Sequence, residues 1–137
     1  MISVLVDTNV LIDVLQNPDS DDWSGRNLVT SAAAGELIVN PVIWAELAGT
    51  YRLEIDLDVA LAGLPIRRDS LPMSVAHAAG LAHLRYRRLG GTKERTLPDF
   101  LIGAHALTAG FALLTRDASR YRTYFPELNI IAPDTHP

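Results

Sequence analysis

Short unbroken apolar runs alternate along this chain with longer stretches whose apolar positions recur at helical spacing. Ile2–Val6, apolar but for Ser3, reads as a strand, and residues 9–16 read as a helix. Residues 23–34 read as a second helix ended by Gly35, followed by a short strand over 37–40. Pro41 then sits in the first turn of a helix, where a missing N–H is tolerated. That helix is expected to run on through 42–53. Residues 56–63 give a short helix and Ile66–Arg68 a weak strand. The alanine-rich 73–89 is a long helix stopped by Gly90-Gly91. Residues 97–109 form another helix, closed by Gly110; 111–115 read as a strand, 118–124 as a short helix and 129–132 as a last strand.

Strand–helix alternation of this kind implies right-handed crossovers and a parallel sheet covered on both faces. The apolar runs at 3–6 and 112–114 agree with burial on two sides. The predicted fold class is α/β, a three-layer α/β/α sandwich with a central parallel sheet of four to five strands. No repeat or linker divides the chain, so 1–137 is expected to be a single domain.

Composition narrows the function. The 137 residues are enough for a core, and the absence of cysteine excludes disulfides, thiolate metal sites and cysteine nucleophiles. No apolar stretch reaches the ~18 residues of a membrane span. The N-terminus lacks the pattern of a secretory leader, so a cytoplasmic protein is expected. A net charge of −4 argues against nucleic-acid binding by bulk electrostatics. It does not argue against a nuclease, because bound cations reverse the local sign at a site built from carboxylates. Five of the 12 basic residues fall between Arg85 and Arg95.

Ligands of open α/β sheets bind beyond the carboxyl ends of the strands, and acids recur there. Asp7 follows the first strand, Glu46 lies on the helix leaving the second, and Asp117 follows the strand before the last. Asp99 opens a helix, but that helix leads into the 111–115 strand, which brings its start toward the same edge. Each acid also has a local reading. Asp7 and Asp117 suit helix caps, each worth about 1 kcal/mol. Thr96-Leu97-Pro98-Asp99 resembles a capping box with Asp in place of Glu. Glu46 suits no cap. Its helical neighbours include Val42, Ile43, Gly49 and Thr50, which predicts a partly desolvated carboxylate in need of a partner, an arginine or a cation.

Two carboxylates about 4 Å apart repel by roughly 4 kcal/mol at an effective dielectric of about 20. Converging acids stay partly protonated unless a divalent cation joins them. Oxygen ligands suit Mg²⁺, with Mn²⁺ able to replace it. One or two such ions serve phosphodiester hydrolysis by activating water and neutralising the phosphate.

"VLVDTNVLIDVL", "NPVIWAEL", "TLPDFLIGAHAL" and "ALLTRDASRYRTYFPELNIIAP" together resemble, in order and spacing, the acidic motifs of PIN-domain ribonucleases, and in particular the VapC toxins of bacterial toxin–antitoxin pairs. The resemblance runs over 4–133. It implies that Asp7, Glu46, Asp99 and Asp117 form an acidic quartet, with Asp7 and Asp99 the principal metal ligands. Asn9 and Thr115 match polar positions around the pocket, and Thr8 is expected to line its entrance beside Asn9. It further implies a Mg²⁺-dependent endoribonuclease acting on structured RNA such as tRNA and leaving 5′-phosphate and 3′-hydroxyl ends. The implied partners are a small cognate antitoxin and a second copy of the chain. One departure is Phe100, where many relatives carry Asn or Ala.

The basic residues have two compatible readings. Arg85, Arg87 and Arg88 suit a helix C-terminus, and with Lys93 and Arg95 they also suit an RNA backbone approaching the acids. Arg116 and Arg120 flank Asp117 and suit either phosphate or the acids themselves. His105 is expected to pack or to support the site, and Asp13 to lie on the surface. Receiver-type and dehalogenase-like readings lack their required residues: Asn9 stands where the second would need an acid, and Lys93 is the only lysine. The remaining alternative is a catalytically inactive PIN-fold RNA-binding or scaffold protein.

Overall fold

The computed structural model describes residues 2–19, 21–91 and 96–137. The chain begins with β1 (Ile2–Val6), α1 (Thr8–Gln16), α2 (Trp23–Ala34) and β2 (Gly35–Val39). It continues through α3 (Pro41–Leu47), α4 (Glu54–Leu61), β3 (Ile66–Arg68) and α5 (Met73–Arg88). The last elements are α6 (Leu97–Ala109), β4 (Ala112–Leu114), α7 (Ser119–Tyr124) and β5 (Ile130–Ile131). The strands form one five-stranded sheet in the order β3-β2-β1-β4-β5. Every pairing is parallel. This is the predicted α/β class.

The central strands are buried because both faces are covered. Val4, Leu5 and Val6 of β1, Leu37, Ile38 and Val39 of β2, and Ala112, Leu113 and Leu114 of β4 are all buried. Helix α2 packs on β1 and β2, whereas α6 packs on β4 and against α5. Right-handed crossovers place the β1–β2 and β3–β4 connections on opposite faces, since they step across the sheet in opposite directions.

Element boundaries differ from expectation at informative places. The helix after β2 stops at Leu47 instead of continuing through 42–53. Gly49 and Thr50 are poor helix formers, and the Thr50 N–H turns back to the Leu47 carbonyl at 3.0 Å. Gly35 ends α2 and also opens β2 opposite Ile2. A Cβ at Gly35 would stand 1.8 Å from the Ile2 carbonyl oxygen. That atom is ladder backbone and cannot move aside. Gly35→Ala is therefore expected to destabilise by about 3 kcal/mol or more, measured by denaturant unfolding. Gly110, with φ of 76°, supplies the left-handed cap that ends α6.

Asp13 is not the surface group expected. It is half-buried, accepts the Ser24 hydroxyl at 2.6 Å and pairs with Arg116 Nε at 3.0 Å. The carboxylate thereby ties α1 to α2 and to the loop after β4. Asp22 accepts the Gly25 N–H at 2.9 Å and caps α2. Among the described residues no helix is long and apolar enough to cross a membrane.

Candidate active site

From β1 the chain steps outward to β2 and β3, then returns to place β4 and β5 on the other side. The carboxyl ends of β1 and β4 therefore flank a switch point, where α/β sheets open a crevice. Asp7 and Thr115 are the first residues past these two strands. The Asp7 N–H donates to the Leu114 carbonyl at 2.9 Å, which extends the ladder to the acid and fixes it.

Asp7 is only 6% exposed, yet both carboxylate oxygens are partnered. Oδ1 accepts the Thr8 N–H at 2.8 Å, so the expected cap of α1 exists. Oδ2 accepts the Thr115 hydroxyl at 2.8 Å, the Tyr121 hydroxyl at 3.2 Å and the Asn9 amide at 3.5 Å. Burial pushes the Asp7 carboxyl up to about 6 against the Thr115 and Thr8 hydrogen bonds, and the nearby Asp99 charge adds to the rise.

Asp99 stands in the first turn of α6. The capping-box expectation at this helix is incorrect, because the Thr96 side chain makes no cap. Thr96 has helical backbone angles, and its hydroxyl meets His83 Nε2 at 2.9 Å. The Asp99 carboxylate instead pairs with Arg120, and the Tyr121 hydroxyl approaches its Oδ1 at 3.4 Å. Burial raises the Asp99 carboxyl, opposed by the Arg120 guanidinium. Tyr121, 3% exposed, thus sits between two acids, and burial with the Asp7 and Asp99 charges pushes its phenol upward. Its proton stays on, so the hydroxyl remains a donor serving whichever carboxylate it faces.

Glu46 departs from the reasoning that singled it out. It is exposed, because α3 turns Ile43 and Leu47 into the core and leaves Glu46 on its flank. Its carboxylate accepts the Thr8 hydroxyl at 2.7 Å. Asp117 is also exposed, and it caps no helix; the Ser119 hydroxyl donates to it at 3.1 Å. Thr115 is fully buried and accepts the Asp117 N–H at 3.2 Å while donating to Asp7. Asn9 accepts the Arg116 N–H at 3.2 Å.

One crevice of about 250 Å³ is lined by Asp7, Thr8, Asn9, Ile12, Glu46, Asp99, Asp117 and Tyr121. All the acids singled out in the sequence border it. Thr115 stands just beneath, through its bond to Asp7. The basic residues are less concentrated. The Arg116 guanidinium turns toward Asp13, and Arg88 is exposed at the end of α5 without lining the crevice. Lys93 and Arg95 lie outside the described residues. His105 is buried with Nδ1 3.1 Å from the Asn40 amide nitrogen, away from the acids. Desolvation holds it below the usual histidine range.

Arg120 takes the acid-pairing alternative open to it in the sequence, with Asp99 as the partner. Tyr121, by contrast, is a part of the pocket that the sequence reading does not single out. The available signal is spacing: Arg120 and Tyr121 follow Asp117 within about one helical turn, on α7. Among the described residues no three acidic or histidine groups form a ready ligand set for an ion. The donor chemistry nonetheless fits a hard divalent cation, since every pocket acid offers oxygen. Burial raises Asp7 and Asp99, helped by the charge of Asp99 on the first and of Asp117 on the second. Arg120 supplies the neutralising charge at Asp99 in this arrangement.

A doubly covered parallel sheet with carboxylates gathered at its switch point defines a class of acid-pocket α/β proteins. Within it, residues 4–126 match the PIN domain, and the chain belongs to the PIN-domain family, whose members are in general nucleases. Its fold is similar to that of VapBC2 from Rickettsia felis bound to a promoter DNA fragment, at 18% identity and a TM-score of 0.75 over 96% of this chain and 98% of that one. DNA-bound VapBC from Salmonella typhimurium gives 18% identity and a TM-score of 0.72, again over 96% and 98%. FitAcB from Neisseria gonorrhoeae gives 20% identity and 0.65 over 98% and 99%. No curated protein matches the sequence.

Proposed function

We propose that this chain is a Mg²⁺-dependent endoribonuclease of the VapC toxin type, working as one domain within a homodimer and neutralised by a small cognate antitoxin. The observation that carries the reading is the pair Asp7 and Asp99, facing one buried hydroxyl within a crevice that Glu46 and Asp117 also line. PIN-family membership supports nuclease chemistry. The toxin–antitoxin complexes among the structural neighbours support the antitoxin partner.

Asp7 and Asp99 would be the principal ligands of Mg²⁺, or of Mn²⁺ in its place, with Glu46 and Asp117 completing the pocket. A bound divalent ion supplies an activated water and charge neutralisation at the phosphate. Thr115 and Tyr121 hold the Asp7 carboxylate in position, and Thr8 does the same for Glu46. Asn9 and the Arg116 backbone shape the rim. The exposed Arg116 and Arg88 would add positive charge for an RNA backbone, the role the sequence also suggests for Lys93.

The test is cleavage of tRNA by the purified chain in Mg²⁺ and in EDTA, beside Glu46→Gln and Asp99→Asn. The wild type is expected to leave 5′-phosphate ends, and each variant to lose about a hundredfold or more in rate. Equal cleavage by all three proteins, or indifference to EDTA, would reject the proposal. RNA binding without cleavage by the wild type would make it a PIN-fold binding protein instead.

A further inference from the structure

A second groove, of about 290 Å³, adjoins the acid crevice and shares Asp99, Asp117 and Tyr121 with it. Its remaining walls are Arg120, Ser119, Thr123, Tyr124 and Tyr86. Four of these belong to α7, at spacings that put them on one face of the helix. The groove is at the small end of ligand clefts, about 300 Å³, which suits one nucleotide more than a folded RNA element.

Arg120 is the one cation among the described residues that line this groove. Its guanidinium pairs with Asp99, and the two side chains are 27% and 31% exposed. The pair sits at the junction of groove and crevice, since Asp99 lines both and Arg120 lines the groove. Once Asp99 holds a divalent cation, the guanidinium is redundant there and is repelled by the like charge. Its planar fork matches a phosphate as well as it matches a carboxylate. Around it stand the Ser119 and Thr123 hydroxyls, which donate to Asp117 and to the Ser119 carbonyl and keep lone pairs with which to accept. The half-buried Tyr124 ring, held by Tyr86 and Phe100, forms a wall. Those are groups suited to ribose and base.

We propose that the α7 groove is the subsite for the nucleotide beside the scissile phosphate, and that Arg120 exchanges Asp99 for that nucleotide's phosphate when the pocket is loaded. The inference rests on the RNA-nuclease reading of the adjoining crevice. Arg120 then has two roles that separate experimentally: it competes with the cation at Asp99, and it holds substrate.

Arg120→Ala, Arg120→Lys and Thr123→Glu test it. Mn²⁺ titration followed by electron paramagnetic resonance, without RNA, is expected to show several-fold tighter binding in Arg120→Ala than in wild type. In steady-state cleavage with Mg²⁺, Arg120→Ala is expected to raise KM about tenfold, with kcat changed far less. Arg120→Lys should recover part of that loss. Thr123→Glu, an exposed substitution, should raise KM through charge repulsion that shrinks as salt is added. If Arg120→Ala fails to fold, Thr123→Glu decides alone. Tighter Mn²⁺ binding with unchanged KM in both variants overturns the subsite and leaves Arg120 a counter-ion only. A wild type that neither binds nor cuts RNA overturns the nuclease reading and this inference with it, and is seen before any variant is made.

Discussion

Asp7→Asn is expected to lower RNA cleavage by about a thousandfold while making the metal-free protein more stable at neutral pH. Asp7 is buried, and its carboxyl is pushed from 3.8 up to about 6. A raised carboxyl means that the folded state binds the proton more tightly than the unfolded chain. The stability this lends is complete below pH 3.8 and is lost as pH rises through about 6. Above that the ionised, buried group costs roughly 3 kcal/mol, because each pH unit separating the folded and unfolded titrations is worth about 1.36 kcal/mol. Asparagine removes the charge and still caps α1, since Asn and Asp are equivalent at that position. Its amide must be accommodated by rotation of the Thr115 and Tyr121 hydroxyls, so the net gain is nearer ~1–2 kcal/mol, within the range of one hydrogen bond. That corresponds to a rise of several degrees, at about 2–4 °C per kcal/mol for a chain of this size. Thermal melts in EDTA at pH 7.5 and pH 4 check it. The variant should lead at the higher pH, and the gap should close at the lower, where wild-type Asp7 is protonated. A variant less stable than wild type at pH 7.5 would mean that the hydrogen bonds to the ionised carboxylate outweigh its desolvation.

The same residue shows what the sequence can disclose. Asp7 interrupts an apolar strand–helix junction, and a carboxylate held between two buried segments is conspicuous in any reading of the chain. The strands are legible for a related reason: burial on two faces writes a continuous apolar run, and β1, β2 and β4 each have one. Helix ends are legible where glycine imposes them, at Gly35 and Gly110. What stays hidden depends on contacts between distant segments. The helix after β2 reads too long because an apolar pattern continues past the point where the backbone turns. That error places Glu46 in the middle of an apolar face, whereas it stands exposed on a short helix and faces Thr8. Tyr121 carries no signal of its own in the sequence, and only the docking of α7 puts its hydroxyl between Asp7 and Asp99, residues 114 and 22 positions away. Arg120 suits either phosphate or carboxylate in the sequence, and only the fold shows it on Asp99.

The second large expected effect is stabilisation by the divalent ion, with a pH dependence opposite to that of the metal-free protein. An ion that binds only the folded state at about 100 times its dissociation constant adds about 2.7 kcal/mol. At about 2–4 °C per kcal/mol, Mg²⁺ or Mn²⁺ should raise the wild-type melting temperature by about 5–10 °C at pH 7.5. The ion needs Asp7 ionised, and that carboxyl titrates near 6 in the folded chain. Above this value no proton has to leave. Below it the ion must displace one, so apparent affinity falls by up to about tenfold per pH unit and the thermal gain disappears toward pH 4. In EDTA the Asp7 contribution makes stability fall as pH rises from about 4 to 6, because protons bound more tightly by the folded chain are lost over that interval. In saturating Mg²⁺ that loss should be offset or reversed over the same interval, because the charge which burial penalises is the one the ion neutralises. Asp7→Asn and Asp99→Asn should each abolish most of the gain. If instead both variants gain as many degrees as the wild type, the cation binds elsewhere. Asp7 and Asp99 would then be a structural pair bridged by Tyr121, with no claim on a metal.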